Sequence, residues 1–271
     1  MEPRTGTVFF VFLVALAVSL SMVVAWWLRQ RTGKSGWIDC IWSLSTGGAG
    51  VALALWPSGD REGFRALFVA VLAAGWSLRL GWHIAQRTIR GGDDPRYAQL
   101  EREWGPQFRS RLFWFLQIQA ACAVLLSLVI YFASHNPSPF PALTDLLGFL
   151  VIGVGLGGEA VADRQLAQFR ADPSNAGGIC DIGLWSLSRH PNYFFEWLVW
   201  VGFSVIAIDV SGHYLWGLAA LIGPIFMYWL LAHVSGVPLL EAHMIRSRGS
   251  AFEAYQSRVS AFIPWPRRSS R

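Results

Sequence analysis

Apolar residues in this chain do not alternate with polar ones. They gather into long blocks separated by polar connections. A helix needs about 20 apolar residues to cross a bilayer. Seven blocks come near that length: Thr7–Leu28, Ile38–Trp56, Phe64–Ile84, Leu112–Ala133, Leu143–Val161, Phe194–Asp209 and Tyr214–Val234. Backbone groups in hydrocarbon have no water to bond, so each block is predicted to be an α-helix. The predicted fold class is therefore all-α, a polytopic membrane bundle of about seven transmembrane helices. Trp26, Trp27, Trp37, Trp56, Trp114 and Trp265 stand at block ends, where an amphipathic ring prefers the interface. The first block is too long for a signal-peptide core and no A-x-A pattern follows it, so it is expected to remain as a span.

Composition and charge sharpen this picture. Charged residues make up only 14% of the 271 residues, apolar residues 54%, and mean hydropathy is +0.39. A soluble protein carries roughly a quarter charged residues, so a soluble enzyme is excluded, and the apolar content excludes disorder. Eighteen of the 22 Lys and Arg residues follow the first, third, fifth and seventh blocks, while Arg4, Arg61 and Arg65 lie on the other side. The positive-inside rule then predicts an outside N-terminus and a cytoplasmic C-terminus. A pI near 9.5 needs no nucleic acid, because the excess is topological. Basic loops also attract anionic membrane lipid or an anionic cofactor. Cys40, Cys122 and Cys180 lack the spacing of a disulfide framework or a zinc site. Ala- and Arg-rich usage with almost no lysine points to a bacterial inner membrane.

The chain reads as one domain without repeats. The connections Pro57–Gly63, Ser134–Ala142 and Ser211–Gly212 are short and predicted extracytoplasmic. Those at Arg87–Arg111 and Ala162–Tyr193, and the tail from Ser235, are long and predicted cytoplasmic, so a site is expected to open to the cytoplasm. Within Arg87–Arg111 a short helix is expected. Asp94 caps it, Pro95 takes its first position, Gly105-Pro106 ends it, and Tyr97, Leu100 and Trp104 share a face. The run Gly153-Val-Gly155-Leu-Gly157-Gly158 fits G-x-G-x-x-G but lies inside an apolar block rather than between strand and helix. Its GxxxG pair, Gly153 and Gly157, is expected to admit a neighbouring helix.

Ionisable residues in the blocks are costly in lipid and mark candidate chemistry. Asp39 opens the second block. Arg79 and His83 are one turn apart in the third. Glu159 and Asp163 are one turn apart at the end of the fifth, with Arg170 two turns further on. Glu196 follows Asn192 by one turn, and His233 and Glu241 flank the end of the seventh block. Mutual neutralisation accounts for any one of these. Their grouping near the predicted cytoplasmic side points to a polar cavity there. In the segment Gly183–Glu196, Arg189 and His190 offer cations, and Asn192 is expected to cap the sixth helix. The helix N–H groups beside Arg189 then suit a phosphate or a carboxylate.

Three stretches carry a resemblance: Arg189-His-Pro-Asn-Tyr-x-x-Glu196, Ser235-Gly-Val-Pro-Leu-Leu-Glu241, and Phe252-Glu-Ala-Tyr255 with Ala261-Phe-Ile-Pro264-Trp-Pro. Together they resemble a bacterial membrane family of undefined function that groups with the steroid 5α-reductases through their C-terminal domain. Sterol reductases and, more distantly, isoprenylcysteine and phospholipid methyltransferases are its relatives, and the methyltransferases share Arg-His-Pro-x-Tyr. The resemblance implies NADPH held by residues 143–271 and a lipophilic small-molecule substrate on the side of residues 1–142. Asp163 and Arg170 match a cofactor-contacting pair, as do Asn192 and Glu196. Glu159 stands where the family has Asn. Arg189, His190 and Tyr193 belong to the same cofactor segment. Glu241, His243 and Arg246 fall in a further cofactor-contacting stretch.

Steroid 5α-reductases bring a Gln-Glu pair of the second helix and a Tyr of the third to the substrate ketone. This chain has Trp37-Ile-Asp39-Cys-Ile-Trp42 in the second block and no Tyr in the third. Asp39 and His83 are its candidate catalytic groups, with Trp42 and Arg79 on the substrate. The leading expectation is hydride transfer from NADPH to an activated C=C bond. Two alternatives stand beside it: an S-adenosylmethionine-dependent methyltransferase acting on a lipid or prenyl thiol, and a non-enzymatic lipid-binding membrane protein.

Overall fold

A computed structural model describes residues 5–57, 63–91 and 94–267. Among them the regular structure is helical: α1 (Thr5–Thr32), α2 (Gly36–Ala54), α3 (Phe64–Arg90), α4 (Pro95–Trp104), α5 (Phe108–Ser134), α6 (Leu143–Ala171), α7 (Pro191–Ala207), α8 (Ile222–Trp229), α9 (Val237–Arg248) and α10 (Ser250–Arg258). Five helical stretches are long and apolar enough to cross a membrane: Thr5–Thr32, Phe64–Arg90, Pro95–Ser134, Leu143–Ala171 and Leu215–Arg248. The blocks expected at Ile38–Trp56 and Phe194–Asp209 form the shorter helices α2 and α7, of 19 and 17 residues. The chain divides into two compact units, residues 1–148 with 203–223, and residues 149–202 with 224–271.

In the first unit, α1, α2, α4 and α5 share one apolar core that includes Met22, Ile38, Leu53, Tyr97, Leu112 and Leu116. Small residues let α2 sit deep in this unit. A Cβ on Gly36, Gly47 or Gly50 would run into Thr88, Ser77 or Ile130, so α3 and α5 approach its backbone directly. Hydroxyls on α2 and α5 bond backbone carbonyls: Thr46 Oγ1 donates to Trp42 O at 2.7 Å and Ser127 Oγ to Thr46 O at 3.1 Å. Such bonds make a polar helix face compatible with burial. The expected short helix is present as α4. Asp94 accepts from Arg96 N at 3.0 Å, Pro95 follows it, and Gly105 at φ 50° ends the helix. That left-handed backbone angle suits glycine. Its Tyr97–Leu100–Trp104 face packs into the core.

In the second unit, the fifth block continues ten residues beyond Val161, to Ala171. Asp163 and Arg170 therefore ride on helix α6 rather than in the expected connection. The GxxxG expectation is corrected as well. Gly155 and Gly158 face α7, where a Cβ on Gly155 would lie 2.9 Å from Phe195 O and one on Gly158 would enter the Phe195 ring. Gly153 and Gly157 have open space instead, because α7 packs on the face that carries Gly155 and Gly158 rather than on theirs. Helix α7 begins at Pro191, so Asn192 occupies its first turn and does not cap it. Proline is favoured at that first position because its missing N–H has no partner there anyway.

The seventh block is not one continuous α-helix. It runs as a 3-10 turn (Leu215–Leu221), α8, and a π turn (Leu230–Val234) closed by Ser235 N donating to Leu230 O at 2.8 Å. Gly236 follows, against the carbonyl of Leu231, where no Cβ fits. Hydropathy reads such a stretch as uniform, since it does not register a change of hydrogen-bond spacing.

Candidate functional site

The Arg189–Glu196 segment is fixed from two sides within the second unit. Gly183, at φ 55°, turns the chain. Leu184 N then donates to Gln165 Oε1 at 2.9 Å, and Trp185 Nε1 to Ala162 O at 2.9 Å, which ties the segment to α6. From the other side comes the C-terminal tail. Arg189 N donates to Ser260 O at 2.8 Å, Trp265 N to Leu187 O at 2.9 Å, and Ser188 Oγ to Phe262 O at 2.8 Å. Tyr255 OH donates to Trp185 O at 2.5 Å. Burial pushes the Tyr255 hydroxyl well above the ordinary phenol range, so it stays a donor.

These anchors gather four of the predicted residues. Arg189 Nε donates to Glu241 Oε1 at 2.7 Å and its NH2 group to Glu241 Oε2 at 3.2 Å. The NH1 group donates to Gln256 O at 3.1 Å and Val259 O at 2.5 Å. His190 Nε2 lies 3.1 Å from Glu241 Oε1, and the His190 ring stacks on Tyr193. Gln256 Nε2 adds a bond to Glu241 Oε2 at 2.7 Å. A two-pronged guanidinium–carboxylate pair is among the stronger contacts available. Arg189 is thus turned to acceptors of its own chain. Gln256 has no motif of its own, and its one sequence cue is that it adjoins Tyr255 in the tail stretch.

The remaining cofactor candidates are not gathered into this cluster. Buried Glu196 accepts from Trp200 Nε1 at 3.0 Å. Along α6, Glu159 is buried, Asp163 half-buried and Arg170 exposed. Arg246 is exposed on α9. Asn192 and His243 are half-buried, and neither side chain has a hydrogen-bond partner among the described residues.

The four residues expected on the substrate side all lie in the first unit. Asp39 Oδ1 accepts from Tyr97 OH at 3.0 Å, and Oδ2 pairs with the Arg96 guanidinium. Arg96 Nε also donates to Asp94 Oδ1 at 2.9 Å, and Arg87 NH2 to Asp94 Oδ2 at 3.0 Å. Burial works to raise the Asp94 carboxyl, but Arg96 and Arg87 override it and hold it well below the usual carboxylate range. Trp42 Nε1 donates to Gln119 O at 3.0 Å. Arg79 and His83 are half-buried one turn apart on α3. The sequence pattern places Tyr97 only on the apolar face of α4. Nothing in the spacing marks it as the partner of a carboxylate 58 residues earlier.

No solved structure matches the chain. An uncharacterized protein of Schizosaccharomyces pombe, C594.04c, is 25% identical over 285 residues, covering 93% of this chain and 79% of that protein. The model of a family of proteins of unknown function, DUF1295, matches residues 25–259. By that match the chain belongs to the DUF1295 family.

Proposed function

We propose that the protein is a membrane-embedded, NADPH-dependent reductase acting on an activated C=C bond of a steroid-like or other lipophilic enone. One observation carries the reading. The Arg189–Glu196 segment is anchored to α6 and to the tail, yet the half-buried Asn192 side chain in the first turn of α7 has no partner among the described residues. A fixed segment that leaves a polar side chain unused is suited to an external ligand.

The residues of the second unit fit a phosphorylated dinucleotide. Carboxylates at Glu159 and Asp163 suit ribose hydroxyls. The arginines at Arg170 and Arg246, both exposed, suit phosphates. Arg189 and Glu241 are positioning residues in this reading, because they fix the backbone from which Asn192 projects. When bound, the cofactor supplies a hydride to the β-carbon. In the first unit Asp39, paired with Arg96, accepts rather than donates. The donor to the developing enolate oxygen is then His83, a group suited to proton transfer near neutral pH. The Tyr97–Asp39–Arg96 contacts hold α4 to the first turn of α2.

Calorimetry and nucleotide fluorescence on the detergent-purified protein test this. NADPH is expected to bind, and Asn192→Ala and Arg170→Ala are each expected to weaken it by about tenfold, the equivalent of one good hydrogen bond. His83→Ala is expected to lower turnover while leaving NADPH affinity unchanged. Absence of NADPH binding, or wild-type behaviour of Asn192→Ala, defeats the reading. Protection from thermal unfolding by S-adenosylmethionine but not NADPH moves the assignment to methyl transfer.

A further inference from the structure

None of the residues assigned above takes part in a cavity of about 500 Å³ in the first unit, formed by the connection before α6 and the turn after α7. Small-molecule sites occupy about 300–1,000 Å³. Pro137, Pro139 and Val210 give it apolar walls, and Thr144, Asp209 and His213 give it polar ones. The walls are braced. Arg65, itself buried, donates to Asp145, Asn136 O, Ser138 O and Pro139 O. Asn136 Nδ2 reaches Ile206 O at 2.8 Å and Ile208 O at 3.1 Å, and Ser138 Oγ reaches Asp209 Oδ1 at 2.9 Å.

Its polar lining is divided by sign. Helix α6, 29 residues long, starts at the cavity, and the amides of Leu143 and Thr144 have no acceptor among the described residues. Thr144 is only 9% exposed, lines the cavity, and its hydroxyl has no partner among the described residues. These donors suit an anion. Asp145, in the same first turn, does not oppose one, because Arg65 neutralises it at 2.7 Å. Across the lining, Asp209 accepts from Ser211 Oγ at 2.7 Å and His213 N at 3.0 Å. Hydrogen bonds, from Ser211 above all, hold its carboxyl at about 2, so it is a fixed negative charge. No Lys or Arg lines the cavity among the described residues.

We propose that this cavity binds the zwitterionic headgroup of a primary-amine phospholipid, with its phosphate on the start of α6 and Thr144 and its ammonium toward Asp209. No Phe, Tyr or Trp lines the cavity among the described residues, so a quaternary ammonium finds none of the ring faces it prefers. A primary ammonium bonds to oxygens instead. The source is a lipid rather than a soluble ester because the rim is apolar. Leu143 and Val210, both in the lining, are 70% and 83% exposed, and apolar surface of that kind accepts acyl chains. The inference stands independently of NADPH.

Native mass spectrometry of the full chain in detergent, titrated with phosphatidylethanolamine, phosphatidylcholine and phosphatidylglycerol of matched acyl chains, tests it. Phosphatidylethanolamine is expected to bind about fivefold more tightly than the other two, the factor expected of a partly exposed ion pair. Asp209→Asn should remove that preference, and Thr144→Val should weaken all three lipids. Ala142→Trp fills the cavity without deleting a hydrogen bond, and it should abolish the preference while keeping the wild-type melting temperature. Equal binding of the three lipids overturns the proposal, as does a preference that survives both Asp209→Asn and Ala142→Trp. Displacement of the lipid by an equal concentration of soluble phosphoethanolamine overturns the lipid assignment.

Discussion

Each unit contains an arginine that grips a carboxylate with two nitrogens and also donates to backbone carbonyls. In the first, Arg65 holds Asp145 at 2.9 and 2.7 Å, and the pair is closed, with side chains 6% and 1% exposed. The second oxygen of Asp145 also accepts from Ala142 N at 2.7 Å. In the second, Arg189 holds Glu241, but Glu241 is shared with His190 and Gln256. The segment that Arg189 anchors continues into Asn192, whose side chain is unused among the described residues. Similar grips therefore end differently. One closes a loop completely, and the other fixes a backbone that still presents a polar group. A basic residue in a membrane protein identifies a ligand site only after the acceptors of its own chain have been counted.

The largest effect is expected at the closed pair. Asp145→Ala leaves a buried, uncompensated guanidinium, which costs about 3–5 kcal/mol. Its melting temperature in detergent should fall further than that of any substitution at Glu241, Arg189 or Gly155. Replacing both partners by apolar residues of similar volume should recover most of the loss. Next comes Glu241→Gln, which weakens charge-assisted bonds worth about 1.5–3 kcal/mol. Arg189→Lys should cost a similar amount, since the ammonium keeps the charge and loses the fork. The contrast breaks if Glu241→Gln destabilises as much as Asp145→Ala.

A third test separates the two faces of α6. Gly155→Ala drives a Cβ against the Phe195 carbonyl, and overpacking of that kind costs about 1–3 kcal/mol. Gly153→Ala and Gly157→Ala meet open space, so they should be neutral or stabilising by up to about 1 kcal/mol through helix propensity. Thermal melts of the three variants decide it. Equal losses at Gly153 and Gly155 would mean that both faces are packed.

Local chemistry is legible in the sequence and distant chemistry is not. The cap, first-position proline and terminal glycine of α4 lie within twelve residues, Asp94 to Gly105, and each acts on its neighbours. The apolar blocks are legible because hydrocarbon imposes one backbone solution. The acceptors of Arg189 are not, because two of them are carbonyls 67 and 70 residues away, and a carbonyl leaves no trace in residue identity. Nor is the Tyr97–Asp39 bond, for which α4 must first fold and then dock. The register of the glycines fails for a subtler reason. Glycine recurs at close intervals from Gly153 to Gly158, so the choice between the two faces rests with Phe195 and Val199 of α7.

The smallest expected loss concerns Asp94, which joins two arginines to the cap of α4. Asparagine caps a helix about as well as aspartate, so Asp94→Asn removes only the ionic part. Arg87 is 48% exposed, and solvent screens its share, so the loss at neutral pH is about 1 kcal/mol or less. The pH dependence identifies the source. An unfolded aspartate titrates near about 3.9, while Arg96 and Arg87 hold the folded carboxyl well below that. Its stabilisation is therefore complete above the unfolded value and is lost as pH falls from there toward the folded value. The gap in melting temperature between wild type and Asp94→Asn should stay constant from about pH 8 to pH 5 and shrink below about pH 4. A gap that widens in acid would show that burial outweighs the arginines and holds the folded carboxyl above its unfolded value.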